Sequence, residues 1–341
     1  MSSINFVEVA KINSLRPHPA ADRLEIATIH AYETVVPKGM YQVGQVVVYF
    51  PPDMLITEGV AKRLGVKNYL KGAIYPGDTK SSRCRVAAAR LRGVPSYGFV
   101  TAFDPLNIQA RVGDDLSDYF GAVKYQPPEP DVQGDEEKPD ALFHTYTNIQ
   151  NYSRYPSRVP LGTQVRITEK VHGMNCRVGV VKTGSDSFEF MCGSHSARRK
   201  QGFYWEPLDV QMMKMLCALC AEEHTVIVFG ELFGPGTVKS KLKNMYGLTD
   251  KQFRVFDISI DGRYLDWKAV ESYCQFFGIK TVPLLYKGPF THECLNLAYG
   301  PSCIGGELRE GIVITPLTES VGRFGARMIL KYISADYLAR T

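Results

Sequence analysis

The first hundred residues alternate short apolar runs with turn-forming residues. The apolar runs are "INFVEVAKI", "RLEIATIH", "ETVVPKG" and "VGQVVVYF", and Pro, Gly and Asn separate them. Alternating or short continuous apolar blocks of this length are typical of half-buried strands. Short strands joined by tight turns predict a small β-barrel, to which "SSRCRVAAARLRGVPSYGFV" adds a further strand and four arginines.

Further strands are predicted beyond residue 140. The pattern favours single strands at "TVIVFGELFG", "EGIVITPL" and "ARMILKYIS". It favours a strand pair at "FRVFDISIDGRYLD", because Asp261-Gly262 is a good hairpin signal. No internal repeat of fixed period is visible along the chain.

Two helices are predicted among these strands. The segment "DWKAVESYCQFFG" is expected to be capped by Asp266 and to end at Gly278. The segment "LDVQMMKMLCALCAEE" is expected to be amphipathic, and it contains the pair Cys217 and Cys220. Because no second ligand pair follows this CxxC, we interpret both cysteines as core thiols rather than zinc ligands.

An acidic, proline-rich segment separates the two parts of the chain. Residues 126–140, "QPPEPDVQGDEEKPD", hold four prolines and six acidic residues against one lysine. Such a segment buries little apolar surface, so we interpret it as a linker or loop. The predicted organisation is therefore a barrel module with a connecting segment at 1–125, the linker at 126–140, and a second domain at 141–341.

Composition and charge narrow the class of protein. The chain has 341 residues, 45% of them hydrophobic and 22% charged, which is enough for two domains with a sizeable core. No apolar run approaches the ~20 residues of a membrane span, and the N-terminus lacks a secretion signal. Eight scattered cysteines suit a reducing, cytoplasmic or nuclear, compartment. The net charge of +5 is a mild indication of an anionic partner.

Five short motifs, taken in order along the chain, indicate a class of enzyme. They are "EKVHGMN" (169–175), "CGSHSARRK" (192–200), "FGELFG" (229–234), "FRVFDI" (253–258), and "EGIVI" (310–314) with "LKYIS" (330–334). Their order and spacing resemble those of the covalent nucleotidyltransferases, the superfamily of ATP-dependent ligases and capping enzymes. The "KxHG" form, with Asn at the fifth position after the lysine, is similar to RNA ligases rather than to DNA ligases or capping enzymes, which usually carry "KxDG".

The N-terminal part carries a second resemblance. The segments "HPAADRLEIAT" and "VVPKGMYQVGQVVVYFPPD" resemble the N-terminal OB-fold module of the Deinococcus-type RNA ligases, the fifth RNA ligase family. The resemblance implies an α+β chain in which an OB-fold barrel precedes an adenylyltransferase domain of antiparallel sheets with flanking helices. It implies a monomeric, ATP-dependent RNA ligase that uses Mg²⁺ or Mn²⁺. The expected substrate is a nicked or broken RNA duplex, or an RNA/DNA hybrid, with 3′-OH and 5′-phosphate ends.

The family resemblance makes Lys170 the nucleophile. Its amine would attack the α-phosphate of ATP, form lysyl-AMP and release pyrophosphate. A lysine amine is nucleophilic only when neutral, and its ordinary pKa is about 10.4. A nearby cation or metal lowers that pKa. By the same resemblance Lys331 would hold the α-phosphate and help to lower the pKa of Lys170.

Other roles follow from the resemblance residue by residue. Glu169 would contact the nucleotide, Asn175 its phosphate side, and Phe256 would stack on adenine. For Phe256 an ordinary core position remains open, and for Asn175 a turn position. A divalent cation, bound through water, is assigned to three side chains, Glu310, Glu231 and His172, and Glu231 is assigned to the ribose as an alternative.

The chain departs from the related pattern in two places. The last motif often has a second lysine where this chain has Ile333, and Arg327 or Arg323 is a candidate substitute. The second motif often has an arginine at the ribose. Here His195 stands in that place, with Arg198 and Arg199 just beyond.

Further basic residues are candidates for contacts with phosphates. Arg154, Arg158 and Arg327 could hold the leaving pyrophosphate or the RNA 5′-phosphate. The lysine-rich stretch at 239–243 could contact an RNA backbone. Solvated side chains are the alternative interpretation for the first two arginines and for the lysines.

Two other functions are compatible with parts of the sequence. A guanylyltransferase or DNA ligase would usually carry an OB domain after the last motif, whereas this sequence continues for only ten residues after Lys331. A non-catalytic RNA-binding protein is suggested by "HPAADRLEI", which is also similar to tRNA-binding OB modules. A binding module would not need Lys170, Glu231, Glu310 and Lys331 together.

Overall fold

The chain divides into two compact units. The computed structural model describes residues 6–30, 32–73, 83–103, 109–125, 136–137, 140–184, 187–220, 225–238, 242, 244–306, 308–321 and 327–340. Unit one comprises Met1–Glu129 and Ser153–Pro156, and unit two comprises Pro130–Tyr152 and Ser157–Thr341. Over the described ranges, every helix is too short or too polar to cross a bilayer.

Unit one consists mainly of short antiparallel strands. They are β1 (Glu8–Lys11), β2 (Ser14–Pro17), β3 (Leu24–Ile29), β4 (Tyr32–Pro37), β5 (Val46–Phe50), β6 (Met54–Thr57), β7 (Lys71–Ala73), β8 (Arg83–Arg85), β9 (Ala88–Leu91), β10 (Val94–Tyr97), β11 (Phe99–Ala102) and β12 (Val123–Lys124). The helices are α1 (Glu58–Arg63) and α2 (Ser117–Phe120), with a 3-10 turn at Lys67–Tyr69. The strand orders are β1-β5-β11, β2-β3-β4, β9-β10 and β12-β6-β8-β7.

Strand β5 lies between two apolar clusters of unit one. Val48 and Phe50 pack into one cluster, whereas Val47 and Tyr49 pack into the other. This division follows from the two-residue period of a strand, whose neighbouring side chains point to opposite faces. The continuous apolar run "VVVYF" is thus a strand buried on both faces. The four N-terminal strand predictions are confirmed as β1, β3, β4 and β5.

The described residues of unit two form longer strands and three helices. The strands are β13 (Glu136–Glu137), β14 (Gln150–Asn151), β15 (Gln164–Lys170), β16 (Met174–Lys182), β17 (Phe188–Ser194), β18 (Arg198–Arg199), β19 (Thr225–Phe233), β20 (Gln252–Ile260), β21 (Arg263–Tyr264), β22 (Leu284–Pro289), β23 (Gly311–Pro316) and β24 (Leu330–Ile333). The helices are α3 (Val210–Leu219), α4 (Trp267–Phe276) and α5 (Ala335–Arg340). Short 3-10 helices occupy Pro156–Arg158, Phe203–Trp205 and His292–Ala298.

The strands of unit two form two sheets. The larger sheet has the order β13-β18-β17-β16-β19-β20-β21, and the smaller has the order β14-β24-β23-β15-β22. Helices α3 and α4 cover one face of the larger sheet through a core that includes Met215, Trp267 and Val228. On its other face, Phe229 packs in a cluster with Val313 of the smaller sheet. The two sheets therefore share an apolar layer.

Local signals in unit two correspond to the observed elements. The single-strand predictions are confirmed as β19, β23 and β24, and the strand pair as β20 with β21. Asp261 and Gly262 have φ values of 45° and 77°, as a tight two-residue hairpin requires. Asp266 occupies the N-cap of α4, but its carboxylate accepts the Glu319 N–H (2.6 Å) instead of a helix N–H.

The CxxC pair lies on helix α3 and at its C-cap. Cys220 is fully buried in the core of unit two, and Cys217 is half-buried. In the parts of the chain that the structure describes, no group of three or more His, Cys, Asp or Glu side chains is placed to ligate an ion directly. The interpretation as a core thiol is confirmed for Cys220.

Part of the acidic segment is a strand. Most of residues 126–140 lie outside the described residues, but Glu136–Glu137 form β13 and pair antiparallel with Arg198–Arg199 of β18. Glu137 also forms an ion pair with Arg198, and Glu136 lies 3.4 Å from Arg199. Opposite charges on paired strands account for the order of this short piece, which the linker interpretation did not anticipate.

A buried ion cluster joins the two sheets of unit two. Asp257 of β20 is fully buried, and its Oδ1 accepts a hydrogen bond from Arg166 of β15 at 3.0 Å. Its Oδ2 accepts from both terminal nitrogens of Arg327 at 3.1 Å and from the Tyr146 hydroxyl. Arg327 also forms two 2.7 Å bonds to Glu319. Two carboxylates hold the guanidinium of Arg327 in this arrangement, and its role at a phosphate, or as a substitute for a second lysine, stays a prediction.

Substitution of Asp257 should test how strongly this cluster holds unit two. Asp257→Asn leaves two buried arginines with less compensating charge, and we expect a loss of about 3–5 kcal/mol in the free energy of unfolding. Trp205 and Trp267 both lie in unit two, so tryptophan fluorescence during urea denaturation reports on it. As a control, Glu206→Gln breaks a more exposed pair with Lys251 and should cost less than about 1 kcal/mol. A similar small loss for both variants would contradict the account.

Candidate active site

Lys170 is the last residue of β15, next to Glu310. Its Nζ lies 2.6 Å from Glu310 Oε1. Lys170 pairs with Gly311 in the ladder between β15 and β23. Glu310, the residue before Gly311, therefore lies beside the lysine. The "EGIVI" and "EKVHG" motifs therefore meet because their strands are neighbours.

The turn after Lys170 depends on a close backbone approach. A Cβ atom at Gly173 would lie 2.5 Å from the Leu232 carbonyl oxygen and 2.8 Å from Phe233 Cβ. Both distances are too short for any side chain, so glycine is required at this position. The close approach brings β16 beside β19, where Asn175 pairs with Glu231. The predicted Lys170, Asn175, Glu231 and Glu310 thus come from adjacent strand ends of the two sheets.

His172 is held in this turn by two tyrosines. Its backbone N–H donates to the Tyr246 hydroxyl at 2.6 Å, and its Nδ1 lies 2.8 Å from the Tyr337 hydroxyl. The same Nδ1 is 3.7 Å from Glu310 Oε2. Tyr246 and Tyr337 were not predicted, because they come from a loop and from helix α5, far from the motif in sequence. No local pattern in the sequence marks either tyrosine.

The charges around Lys170 compensate one another. Burial would lower the pKa of Lys170, but the carboxylates of Glu310 and Glu231 outweigh burial and raise it. Burial would raise the pKa of Glu310, but Lys170 and His172 outweigh it and lower it. Burial is the main cause that raises the pKa of Glu231, to about 8, against the opposing charge of Lys170. The sequence predicts a lowered pKa for Lys170. Among the residues of this site the pKa is raised instead, because acids surround the amine.

Lys331 lies two strands away from Lys170. It pairs with Val313 of β23, and Val313 pairs with Thr168 of β15. Paired residues project from the same sheet face, and so do residues two apart, so Lys331 and Lys170 share a face. Ile333 lies in the same cross-strand row as Lys170, and its side chain brings no charge there. Arg323, the other candidate substitute, lies outside the described residues.

Glu169 is buried and has one oxygen available. Its side chain is 0% exposed, and its Oε2 accepts the Cys303 N–H at 2.8 Å. Arg309 Nε lies 3.5 Å from the same oxygen. Within the described ranges, Glu169 Oε1 and Asn175 Oδ1 are both buried without a hydrogen-bond partner. Two buried acceptors without donors are a feature expected of a site that binds a ligand.

Phe256 lies at an irregularity of β20. The register with β19 shifts there, because Phe229 pairs with Asp257 while Gly230 pairs with Val255. The half-buried ring of Phe256 meets Tyr146 edge-on, with centroids 4.8 Å apart. This placement is compatible with the predicted stacking on a base and also with a core position.

The basic residues of the second motif have acidic or amide partners. Arg198 forms ion pairs with Glu137, Glu189 and, at 3.5 Å, Asp140. His195 Nε2 lies 3.3 Å from Asn148 Oδ1. The guanidinium of Arg199 is 5.9 Å from the Tyr204 ring centroid, and Arg199 is buried. Three carboxylates compensate the charge of Arg198, and the ribose contact of this segment stays a prediction.

The other residues predicted to contact phosphates are Arg154, Arg158 and the lysines at 239–243. Arg154 belongs to unit one, where its side chain is 2% exposed and donates to Glu8 Oε2 at 2.7 Å. Glu8 is its partner in this arrangement, and its phosphate contact stays a prediction. Arg158 ends the 3-10 helix of Pro156–Arg158 and is half-buried. Four of the five residues at 239–243, including all three lysines, lie outside the described residues.

A divalent cation fits the acidic side of this site. Glu310 Oε2 is buried and accepts no hydrogen bond from the described part of the chain. Glu231 and His172 are near it, but the described residues do not assemble three direct ligands. Oxygen ligands with bound waters and phosphate oxygens are the usual environment of Mg²⁺. The predicted residues therefore fit an ion held partly through water.

Comparisons with known proteins identify two families to which parts of the chain are similar. A model of the RNA ligase family matches residues 163–333, which is half of the chain and contains four of the five motifs in full and all but the last residue of the fifth. A model of an OB-fold domain matches residues 6–103. No curated protein sequence matches the chain.

Solved structures share the fold over nearly the whole chain. A variant of the Naegleria gruberi RNA ligase with ATP and Mn has a TM-score of 0.82 and 23% identity over 98% of each chain. A variant with AMP and Mn has a TM-score of 0.80 and 22% identity over 98% of each chain. The ligase with PPi has a TM-score of 0.79 and 22% identity over 99% of this chain and 98% of that one. These matches confirm the predicted fold, which is an OB-fold domain followed by a ligase-type nucleotidyltransferase domain of mostly antiparallel sheets. Because the family model matches half of the chain, the chain belongs to the RNA ligase family.

Proposed function

We propose that the chain is an ATP-dependent RNA ligase of the Deinococcus type that works through a lysyl-AMP intermediate. The observation that carries the proposal is the position of Lys170. Its amine ends a strand, lies 2.6 Å from Glu310, and is close enough to Glu231 for both carboxylates to raise its pKa. An amine with two acids beside it, next to unpartnered buried acceptors, is suited to attack a phosphate that arrives with a cation.

The reaction consists of three phosphoryl-transfer steps. In the first, Lys170 Nζ bonds to the α-phosphorus of ATP, and the bond to pyrophosphate breaks. In the second, an RNA 5′-phosphate oxygen bonds to that phosphorus, and the lysine leaves. In the third, an RNA 3′-OH attacks the 5′-phosphate, and AMP leaves. Such transfers depend mainly on positioning and on charge compensation.

The resting site must release a proton before the first transfer. Lys170 is protonated when its carboxylate neighbours are its only partners, because they raise its pKa. A divalent cation, Mg²⁺ or Mn²⁺, supplies positive charge that compensates these acids and the phosphates. Glu310, Glu231 and His172 would hold it, mainly through water.

The unpartnered acceptors support the binding of ATP. The exocyclic amine of adenine is a donor, whereas guanine has a carbonyl oxygen at that position. Glu169 Oε1, buried and without a donor from the described residues, is suited to accept the adenine amine. Asn175 would contact the phosphate side, Phe256 would stack on the base, and Lys331 would hold the α-phosphate. The Naegleria ligase variants with ATP, AMP and Mn support this choice of ligands.

The expected substrate is a nick in an RNA duplex or an RNA/DNA hybrid. Family membership supports RNA as the nucleic acid, and the OB-fold domain is of a type that commonly binds nucleic acids through a basic, aromatic-lined face. We expect the protein to act as a monomer. Its eight cysteines, free wherever the structure describes them, suit the cytoplasm or nucleus.

Lys170→Ala should abolish the covalent AMP adduct, because the nucleophilic amine is removed. The variant should still seal a nick that already carries a 5′-adenylate, since the third transfer does not use that amine. The measurement is labelling of the protein with radioactive ATP and Mg²⁺, alongside sealing of both kinds of nick. The matched control is Lys214→Ala, an exposed lysine on α3. Labelling of the Lys170 variant would remove this lysine from the mechanism.

Glu310→Gln and Lys331→Ala should each slow adenylylation by at least about 10²-fold, the scale of one strong electrostatic contact in the transition state. Glu310→Gln removes the charge 2.6 Å from Lys170 Nζ, and Lys331→Ala removes a charge from the sheet face that carries Lys170. Single-turnover labelling rates measure the effect, and Glu293→Gln, an exposed acid on the 3-10 helix of His292–Ala298, is the control. Wild-type rates for both active-site variants would mean that the last two motifs are misassigned.

The strand that supplies the 3′-OH should need ribonucleotides near its end, whereas the 5′-phosphate strand should be accepted as RNA or DNA. A 2′-OH favours the A-form geometry that a ligase can sense at a nick. Sealing of four nicks, with RNA and DNA exchanged on each side, measures this preference. Equal sealing of all-DNA and RNA-ended nicks is the outcome that contradicts it.

A further inference from the structure

Arg309, directly before Glu310, organises a turn formed by residues 297–303. Its side chain is 10% exposed. The guanidinium donates to a series of groups along the turn: the carbonyl oxygens of Leu297, of Tyr299 (3.4 Å) and of Pro301 (2.9 Å), and Cys303 Sγ (3.5 Å). A single planar group with several donors therefore fixes the path of this turn.

This turn fixes the side chain of Glu169. The Cys303 N–H, at the end of the turn, donates to Glu169 Oε2 at 2.8 Å. Arg309 Nε lies 3.5 Å from the same oxygen and compensates its charge. Both contacts involve Oε2, so the carboxylate is held in one orientation about its last side-chain bond. Its Oε1 has no partner from the described residues.

The backbone of Arg309 is also fixed on both sides. Its N–H donates to the Gly300 carbonyl at 2.8 Å, and its own carbonyl accepts from Ser334 Oγ at 3.0 Å. Two adjacent pairs of opposite charge result, Lys170 with Glu310 and Glu169 with Arg309. Because consecutive strand residues point to opposite faces, Glu169 and Lys170 need separate partners.

We infer that Arg309 is a positioning residue for base recognition. It acts through the turn of 297–303 and through Glu169, whose Oε1 it leaves aimed as an acceptor for an amine donor. The inference rests on the proposed use of ATP by this site. An acceptor fixed in this way favours adenine, which presents an amine, over guanine, which presents a carbonyl oxygen. A carboxylate free to rotate would lose part of that discrimination.

Arg309→Lys tests this inference most directly. Lysine keeps the charge beside Glu169 but cannot donate to all the groups of the turn at once. We expect the half-saturating ATP concentration for adenylylation to rise about tenfold, the effect of losing one hydrogen bond to a charged group, while the maximal rate changes less than about threefold. The preference for ATP over GTP should fall by a similar factor. Arg263→Lys, an exposed arginine on β21, is the matched control.

A double-mutant cycle separates this role from a merely structural one. Glu169→Gln should shift the ATP dependence and the ATP preference as Arg309→Lys does. The double variant should be no worse than Glu169→Gln alone, because both changes remove the same contact. Arg309→Gln serves as a second variant, and thermal unfolding is followed for each protein.

Three results would overturn the inference. They are additive effects in the double variant, an unchanged ATP preference in Glu169→Gln, and failure of both Arg309 variants to fold while Glu169→Gln folds. The last result would make Arg309 a fold residue that does not act through Glu169. Failure of the proposed ligase function is distinguishable, because the wild-type protein would then carry no AMP on Lys170.

Discussion

The active-site geometry of unit two depends on the buried carboxylate of Asp257. This residue lies in the larger sheet, and Arg166 of the smaller sheet reaches its Oδ1 at 3.0 Å. Lys170 is on the same strand as Arg166, and Glu231 is on the strand next to that of Asp257. If the two sheets separated, two arginines and a carboxylate would lose their charge compensation in a buried layer. The ion cluster therefore sets the spacing at which Lys170 and the acids meet.

The second constraint is the balance of charge around Lys170. Glu310, 2.6 Å from the amine, holds Lys170 as a cation, whereas burial raises the pKa of Glu231 to about 8. In the proposed mechanism the amine becomes a nucleophile when the acids receive other positive partners. Arrival of a nucleotide with its cation would then be linked to activation of the lysine.

The sequence predicted the elements and motifs that are local. The strands, the hairpin at Asp261-Gly262 and the helix α4 follow from short-range patterns. The motif lysine and its acids, Lys170, Glu231 and Glu310, are close in space because neighbouring strand ends carry them. Long-range partners could not be predicted in this way. Arg154, Arg198 and Arg327 have the charge of phosphate ligands, but buried or paired carboxylates hold them, and only the fold reveals those partners.

Supporting residues escaped prediction for the same reason. Arg309, Tyr246 and Tyr337 hold Glu169 and His172 from segments that are far away in the sequence. Neither composition nor spacing marks a residue that acts through hydrogen bonds to a distant turn. In this fold the motifs define the reacting groups, and the intervening segments orient them.

Peptide mass spectrometry of the wild-type protein after incubation with ATP and Mg²⁺ tests the central claim most directly. The account predicts one AMP adduct per chain, located on the peptide that contains Lys170 and lost on addition of pyrophosphate. An AMP adduct on another residue, or an unmodified protein that nevertheless seals RNA nicks with ATP, would contradict it.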